Sequence, residues 1–394
     1  MLKNILILVL TLSNFFLFGQ SVINLRVDPE NARGGTASQV FSDVKFIPLE
    51  TTKESLFGQI DQMEVTDSFF IVLDQQSRSI LVFTREGKLH KRIKSPGPEK
   101  YFNYFALDRV AREIIASNNY ADGLLIYNYD GLFLRKEPCP EHVQSLFYLG
   151  NRSFVYNIER ISQAVPSNKS SYDLALSTGY NSITKYLNPY NPKCEDGEFN
   201  MMSNPINFSG VPGSCMFSLP FSYSVYQLND TGVLCRYNFI LPLKYSLPSG
   251  FDTGCSFANK RAEYVYHDPE NIDKINSIGR VFRSGDYILF TAISSHFKIG
   301  SDWNYAYNTR SGNLISFSKV TPDSSSSHLP ILASVFENIN AIDGNNIFAS
   351  CPSFRLLSFK GISDRPIVYP DALKELFSTG NKTSNPIIIL VQLK

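Results

Sequence analysis

The sequence predicts an all-β fold. Aromatic residues make up 13% of the 394 residues, with 30 Phe and 21 Tyr, whereas charged residues make up only 19%. Phe and Tyr favour pleated, half-buried surfaces. Short β-rich runs separated by turn residues recur along most of the chain, and helix signals are nearly absent. We therefore expect many short antiparallel strands.

The segment from residue 60 to residue 93 contains the clearest repeating unit. Four β-rich runs, at 62–65, 69–74, 79–83 and 88–93, alternate with turns, which is typical of one propeller blade. Three positions recur at an offset of 44 residues: Asp74 and Asn118, Phe83 and Tyr127, Gly87 and Gly131. Glycine at matching turns predicts the same positive-φ geometry in both copies.

Looser copies with longer insertions follow at residues 153–179, 224–239, 287–317 and 342–350, which brings the count to six. Extended runs also occur near both ends of the chain, at 44–49 and 386–393. Because proteins avoid unpaired sheet edges, we expect both ends to supply strands to one closing blade. The prediction is a six-bladed β-propeller, with blades of four antiparallel strands, formed as a single domain by residues 20–394. A short helix is expected at 371–377, stopped by Gly380.

The first 19 residues predict a signal peptide. Lys3 supplies a positive charge before the mostly apolar run 5–18, and fourteen helical residues at about 1.5 Å each are too short for a hydrocarbon core of roughly 30 Å. No cysteine precedes Cys139, so the signal lacks a lipobox cysteine. We expect an exported, periplasmic or extracellular protein without a transmembrane segment.

The net charge excludes one class of partner. The formal net charge of +1 provides no basic field for a nucleic acid, so we expect none to bind.

The six cysteines are scattered, without a C-x-x-C motif: Cys139, Cys194, Cys215, Cys235, Cys255 and Cys351. Core filling and one or two disulfides both remain open, and six cysteines allow 15 full pairings.

Four segments carry a family resemblance: 41–52, 71–83, 225–228 and 385–390. The most specific is the first, which ends in Pro-Leu-Glu-Thr-Thr at 48–52. Together they resemble the secreted or lipid-anchored six-bladed β-propeller proteins of Gram-negative gut-type bacteria, which are related in architecture to NHL and TolB-like propellers. The resemblance implies the fold and no established activity. The loop at 95–100 is shorter than the glycine-rich loop that many members carry there.

Catalytic signatures are missing from the sequence. It contains no G-x-S-x-G, Walker, H-E-x-x-H or EF-hand motif. His267, Asp268 and Glu270 concentrate potential metal ligands within four residues, but a solvated turn with Pro269 at the start of a short helix is the favoured interpretation. We expect no catalysis.

Propeller geometry indicates where a ligand would bind. The loops from the second to the third strand of each blade open at the mouth of the central channel, at 75–78, 119–122, 160–171, 220–223, 295–303 and 352–355. Aromatic rings and arginine forks suit sugars or extended peptides, although each ring could instead pack under its own loop. The candidate ligand-binding residues are Arg78, Tyr120, Phe221, Tyr223, His296, Trp303, Phe354 and Arg355.

Two functions from different classes follow. The favoured one is a monomeric binding or scaffolding propeller of the cell envelope, without a cofactor, that recognises a glycan, a peptide or a partner protein. The alternative is a metal-dependent hydrolase or lyase, in which Asp74, Asn118 and Asn157 at equivalent strand ends would hold a cation such as Ca²⁺ at the channel. The same three residues are equally explained as polar groups that cap turns.

Overall fold

A computed structural model of the chain describes residues 21–97, 101–118, 123–160, 171–194, 205–294, 303–334, 337–360 and 367–394. Strands β4 to β26, together with β3, form six sheets of four antiparallel strands each, and two sheets carry a fifth strand. The sheets are the six blades of a β-propeller. The predicted fold class is confirmed.

The elements follow in chain order. The chain starts with β1 (Ser21–Arg26), β2 (Arg33–Thr36), α1 (Ala37–Val40) and β3 (Phe41–Pro48). Blade 1 consists of β4 (Gln62–Val65), β5 (Phe69–Asp74), β6 (Ser79–Thr84) and β7 (Leu89–Lys94). Blade 2 consists of β8 (Phe102–Asp108), β9 (Glu113–Asn118), β10 (Leu124–Asn128) and β11 (Phe133–Glu137). Blade 3 consists of β12 (Val143–Gly150), β13 (Ser153–Ile158), β14 (Tyr172–Thr178) and β15 (Ile183–Pro189).

Blade 4 consists of β16 (Ile206–Phe208), β17 (Cys215–Ser218), β18 (Ser224–Asn229) and β19 (Gly232–Ile240). Blade 5 consists of β20 (Ile275–Ser284), β21 (Tyr287–Ser294), β22 (Asn304–Asn308) and β23 (Leu314–Thr321). Blade 6 contains β24 (Asn338–Asp343), β25 (Asn346–Cys351) and β26 (Ile387–Leu393), and the helices α2 (Ser353–Leu357) and α3 (Asp371–Thr379) lie between β25 and β26. Single helical turns occur at Pro192–Cys194, Leu243–Tyr245, Cys255–Phe257, Glu263–His267, Pro269–Asn271 and Ser324–Ser326.

Both chain ends close the ring in blade 6. The N-terminal strand β3 pairs antiparallel with the C-terminal strand β26, and Phe46 lies opposite Ile389. β26 in turn pairs with β25, which places β3 at the outer edge. The expected shared closing blade is confirmed. The predicted short helix is α3, which buries Leu373, Leu376 and Phe377 against this blade and ends before Gly380.

The segment before β3 adds two strands that the sequence analysis did not predict. β1 pairs parallel with β19, the outer strand of blade 4, and β2 pairs parallel with β23, the outer strand of blade 5. These pairings join residues about 210 and 280 positions apart. The N-terminal segment therefore covers two blade edges before it reaches its own blade.

The middle strands of the blades are buried on both faces. In blade 1, β5 and β6 read FFIVLD and SILVFT, and nearly all of their side chains are buried. Each blade packs between two neighbours, so its middle strands are continuous apolar runs rather than alternating ones. Phe70 in blade 1 contacts Phe348 in blade 6 edge to face, with ring centroids 5.7 Å apart. The outer strand β7, by contrast, is largely polar.

The cysteines divide between the two uses that the sequence left open. Cys194 and Cys255 form a disulfide, which ties the end of blade 3 to the insertion at 241–274 between blades 4 and 5. Cys215, Cys235 and Cys351 are free and buried, and Cys139 is free and half-buried. The insertion has its own small core, which packs Leu247, Phe251 and Val265 against Phe221 from blade 4.

Candidate functional site

Three cavities follow one another along the central channel. The first, at the mouth, has a volume of about 1030 Å³. It shares Asp61 and Arg280 with an inner cavity of about 220 Å³. The inner cavity in turn shares Glu64, Phe147 and Phe208 with a third cavity of about 600 Å³ at the opposite face. The aromatic rings of Phe147 and Phe208 are stacked with centroids 6.2 Å apart, at the constriction between the inner cavity and the third cavity.

The mouth is built mainly by blades 1 and 6. Its lining includes Asp74 at the end of β5, Gln76 and Ser77 in the loop that follows, and residues 352–354 of the corresponding loop in blade 6. The connection from blade 6 to blade 1, residues 56–61, completes the rim. These loops therefore open on one face together with a blade-to-blade connection.

Asp74 lies fully buried in the mouth wall. Its Oδ2 accepts hydrogen bonds from the backbone N–H groups of Gly58 and Ser77, both at 3.1 Å. Its Oδ1 has no hydrogen-bond partner among the described residues. A buried carboxylate oxygen without a partner is unfavourable unless a ligand or water supplies a donor. Asp74 itself is not exposed to the cavity, and its role there is to hold the backbone of Gly58 and Ser77 in the mouth wall.

Asp61 and Arg280 lie where the mouth meets the inner cavity. The backbone N–H of Gln75 and the side-chain Nε2 of Gln59 donate to the two carboxylate oxygens of Asp61, at 2.7 and 2.6 Å. Arg280 donates from Nη1 to Oδ1 of Asn340 at 3.2 Å. Burial raises the pKa of Asp61 and lowers the pKa of Arg280, and the charge of each group opposes the shift of the other.

Glu64 lies between the inner cavity and the third cavity, and it lines both of them. Its Oε2 accepts a hydrogen bond from Nη2 of Arg109 at 2.9 Å. Burial raises the pKa of the Glu64 carboxyl, and the Arg109 charge counteracts that shift. The Arg109 guanidinium also lies 5.8 Å from the ring centroid of Phe208. This ion pair and the stacked rings together form the constriction.

The predicted ligand-binding residues occupy different environments. Phe354 lines the mouth with 44% of its surface exposed, and Phe221 is buried and lines the inner cavity. Arg78 is exposed and adopts a left-handed backbone conformation, with φ of 53°. Tyr120 and His296 lie outside the described residues. The structure thus brings Phe354 and Phe221 to the channel.

Three other predicted residues contact the protein itself. The Tyr223 hydroxyl donates to the carbonyl of Ile275 at 2.5 Å and accepts from the N–H of Leu247 at 2.8 Å, which places it under the insertion. Trp303 is only 9% exposed, directly before β22. Arg355 faces inward, with its Nε 3.7 Å from Oε1 of Glu337.

Glu337 is fully buried in blade 6 behind the mouth. Its Oε2 accepts a hydrogen bond from the backbone N–H of Ala333 at 2.9 Å, and its Oε1 lies 3.8 Å from Sγ of Cys351. Burial raises its pKa to about 7, against the lowering effect of the Ala333 hydrogen bond and the Arg355 charge. The carboxyl group therefore titrates near neutral pH.

The potential metal ligands remain a prediction. Asp74 and Asn118 end the second strands of blades 1 and 2, and Asn157 lies one residue before the end of the equivalent strand in blade 3. The Asn157 side chain donates to Oε1 of Gln144 at 3.1 Å. Within the described ranges, no three His, Cys, Asp or Glu side chains form a group that could hold a metal ion.

A family comparison covers almost the whole chain. Residues 20–392 match the family described as a domain of unknown function, DUF4934. The chain belongs to the DUF4934 family. None of the curated proteins matches this DUF4934 chain. No helix in the described part of the chain is long and apolar enough to cross a membrane.

Solved structures support the propeller fold of the DUF4934 chain. A protein of Bacteroides fragilis, provisionally described as exported, is 18% identical, with a TM-score of 0.70 over 95% of this chain and 100% of that one. A DUF4221 member from Bacteroides vulgatus is 10% identical, with a TM-score of 0.48 over 90% and 97%. Virginiamycin B lyase from Staphylococcus aureus is 11% identical, with a TM-score of 0.43 over 89% and 99%. The likeness to the B. fragilis protein concerns the fold alone.

Four charged residues in and around the channel of this DUF4934 protein were missed in the sequence: Asp61, Glu64, Arg280 and Glu337. For two of these residues, the sequence contains a pattern that could have identified them. Glu64 interrupts the short strand QMEV, and Arg280 interrupts the strand INSIGRVF. A charge inside the innermost strand of a blade faces either the channel or a neighbouring blade, so such residues are candidates for channel chemistry.

Proposed function

We propose that this DUF4934 protein is an exported binding propeller of the cell envelope, which holds a ligand in the channel mouth without catalysing a reaction. The ligand class is a glycan, a peptide or a segment of a partner protein. The observation that carries the proposal is that the mouth cavity adjoins the inner cavity, and that Asp61 and Arg280 line both. Concave, mostly apolar sites with a few polar groups are the usual form of a ligand site.

The polar groups of the mouth support a binding role. Asp61 presents a half-buried carboxylate, and Arg280 presents a guanidinium with a single hydrogen bond among the described residues. Phe354 adds an exposed aromatic ring on the same rim. A ligand that supplies both a donor and an acceptor, together with a flat apolar face, would satisfy all three groups.

Export is supported by three independent features. Residues 1–19 have the pattern of a signal peptide. Disulfides such as Cys194–Cys255 persist mainly in oxidising compartments. The B. fragilis protein of similar fold is provisionally described as exported. We therefore propose that the mature chain lies outside the cytoplasm, after cleavage at residue 19.

A thermal-shift screen of residues 20–394 against oligosaccharides and peptides tests the binding role. We expect at least one compound to raise Tm by several degrees, and the Phe354→Ala variant to lose that stabilisation. Phe133→Ala is the matched control, because Phe133 is a similarly exposed ring, at 51%, on the outer strand of blade 2. A wild-type protein that responds to no compound, or a stabilisation that Phe354→Ala leaves intact, contradicts the proposal.

A further inference from the structure

We propose that the inner cavity binds a carboxylate attached to an apolar group, with Arg280 as its ionic partner. This inference rests on the proposed binding function and specifies the chemistry of the ligand at the deep end of the site. Such a group is offered by the C-terminus of a peptide that ends in an apolar residue, and also by a small free acid.

Arg280 has unused hydrogen-bonding capacity. A guanidinium carries five N–H donors, and the bond to Asn340 uses one of them. Among the described residues, no carboxylate lies within 4.0 Å of this guanidinium. Buried arginines usually pair with a carboxylate or phosphate in a two-pronged arrangement. The remaining donors therefore suit an anion from outside the chain.

The backbone directs Arg280 into the channel. The pairing of β20 with β21 shifts register between Gly279 and Phe282, which leaves Arg280 in a bulge. Its φ of 47° is in the left-handed region, which is strained for a residue with a side chain. Bulges redirect side chains and are frequent next to functional sites. The innermost strand thus adopts an unfavourable conformation that exposes a charge to the cavity.

Among the described residues, none of the other charges at the cavity forms an ion pair with Arg280. Both oxygens of Asp61 already accept hydrogen bonds, and Asp61 is half-buried at the mouth. Glu64 is paired with Arg109. Burial lowers the pKa of Arg280, and the Asp61 charge opposes that shift without reversing it. A bound carboxylate would compensate this desolvation.

A second polar residue lines the same space. The Nδ2 atom of Asn207, on β16 of blade 4, is buried and has no hydrogen-bond partner among the described residues. Asn207 and Arg280 come from neighbouring blades and both line the inner cavity. The spare donors of Arg280 favour a ligand group that is an acceptor only, as an ionised carboxylate is.

The walls of the cavity define the rest of the ligand. They include the half-buried apolar side chains of Phe147, Phe208 and Ile293, alongside polar residues such as Gln62. The volume of about 220 Å³ is several times the roughly 30 Å³ of a water molecule in the liquid. Sugar hydroxyls placed against these walls would lose hydrogen bonds to water, so an apolar group is the better occupant.

Calorimetric titration of residues 20–394 tests this assignment with matched probes. The probes are phenylacetate, phenylacetamide, and a pentapeptide ending in phenylalanine as free acid and as C-terminal amide. We expect at least one free acid to bind, and its amide to bind at least about tenfold more weakly, since the amide lacks the charge and adds donors. Binding by the peptide acid alone indicates a peptide C-terminus as the source, and binding by phenylacetate indicates a small acid.

Arg280→Gln is expected to abolish the preference for acid over amide. Arg310→Gln is the control, because Arg310 lies in the same blade but is 81% exposed at the β22–β23 turn. The wild-type acid and amide comparison requires no variant, so it decides the question even if Arg280→Gln fails to fold. Equal binding of acid and amide overturns the assignment. Binding of a glycan from the screen without binding of either acid also overturns it, but leaves the proposed binding function standing.

Discussion

The Oε1 atom of Glu337 and the Nε atom of Arg355 lie 3.7 Å apart inside blade 6. Glu337 precedes the innermost strand β24, and Arg355 lies in α2, directly after the second strand of the same blade. Nε of Arg355 has no hydrogen-bond partner among the described residues, so the pair is electrostatic rather than hydrogen-bonded. The Glu337 carboxyl group is therefore buried behind the channel mouth. Its protonation changes with pH near neutrality.

The first prediction concerns this pH dependence. The folded pKa of Glu337 is raised from 4.5 to about 7, so between these values the folded state binds the proton and the unfolded state does not. Stability from this group is therefore fully present below about pH 4.5 and lost as the pH rises to 7, by about 3 kcal/mol in total. Glu337→Gln should remove this loss, as measured by urea unfolding at pH 5 and pH 8.

Glu375→Gln is the control for that experiment, since Glu375 is an exposed carboxylate on α3. Its difference in stability between pH 5 and pH 8 should equal that of the wild type. If Glu337→Gln shows the same pH dependence as the wild type, Glu337 does not titrate in this range.

The second prediction concerns the disulfide. Unfolded protein without reductant should react as four free thiols per chain, because only Cys194 and Cys255 are paired. The double variant Cys194→Ser/Cys255→Ser should lose roughly 2–4 kcal/mol of unfolding free energy, since the bridge joins residues 61 positions apart. Cys139→Ser, at a half-buried free cysteine, should lose much less. Six reactive thiols, or an equal loss in both variants, would refute the pairing.

The third prediction concerns ring closure. Ile389 is fully buried in β26, opposite Phe46 of β3. Ile389→Ala should reduce the unfolding free energy by about 2–5 kcal/mol, because it leaves a cavity in the closing blade. Leu243→Ala, at a residue that is 86% exposed, should change it by less than about 0.5 kcal/mol. Urea unfolding measures both, and similar values for the two variants are inconsistent with a closed ring.

The fourth prediction separates backbone strain from steric clash at the glycines of the repeated hairpin turns. Gly87 and Gly179 both have positive φ, of 84° and 75°. A Cβ at Gly87 would lie 2.3 Å from the carbonyl oxygen of Pro48, whereas a Cβ at Gly179 would meet nothing within 4 Å. Gly179→Ala should cost about 1–2 kcal/mol of unfolding free energy for the left-handed backbone alone. Gly87→Ala should cost about 1–3 kcal/mol more, and equal losses would contradict the close approach of the two blades.

Local patterns were sufficient to predict the architecture. The match between Gly87 and Gly131 predicted the same turn, and both residues adopt positive φ in the structure, at 84° and 76°. The two terminal β-rich runs predicted the closing blade. The parallel pairing of β1 with β19 was not predictable, because β1 has mostly exposed side chains and its partner lies more than 200 residues away.

The candidate site was only partly accessible from the sequence. Loop positions indicated Phe354, which does line the mouth. The role of Arg280 depends on a bulge, and a shift of register by one residue changes the face of a strand on which a side chain lies. The burial of Trp303 likewise depends on packing that composition does not reveal.

Hydrogen exchange of residues 20–394, with and without a stabilising compound from the screen, tests most directly whether the channel mouth is the ligand site. We predict that the compound slows exchange in segments 56–61 and 74–78 and in α2, which form the mouth, and leaves the outer strand of blade 2 at 133–137 unchanged. Protection confined to the opposite face or to the outer strands would contradict the account.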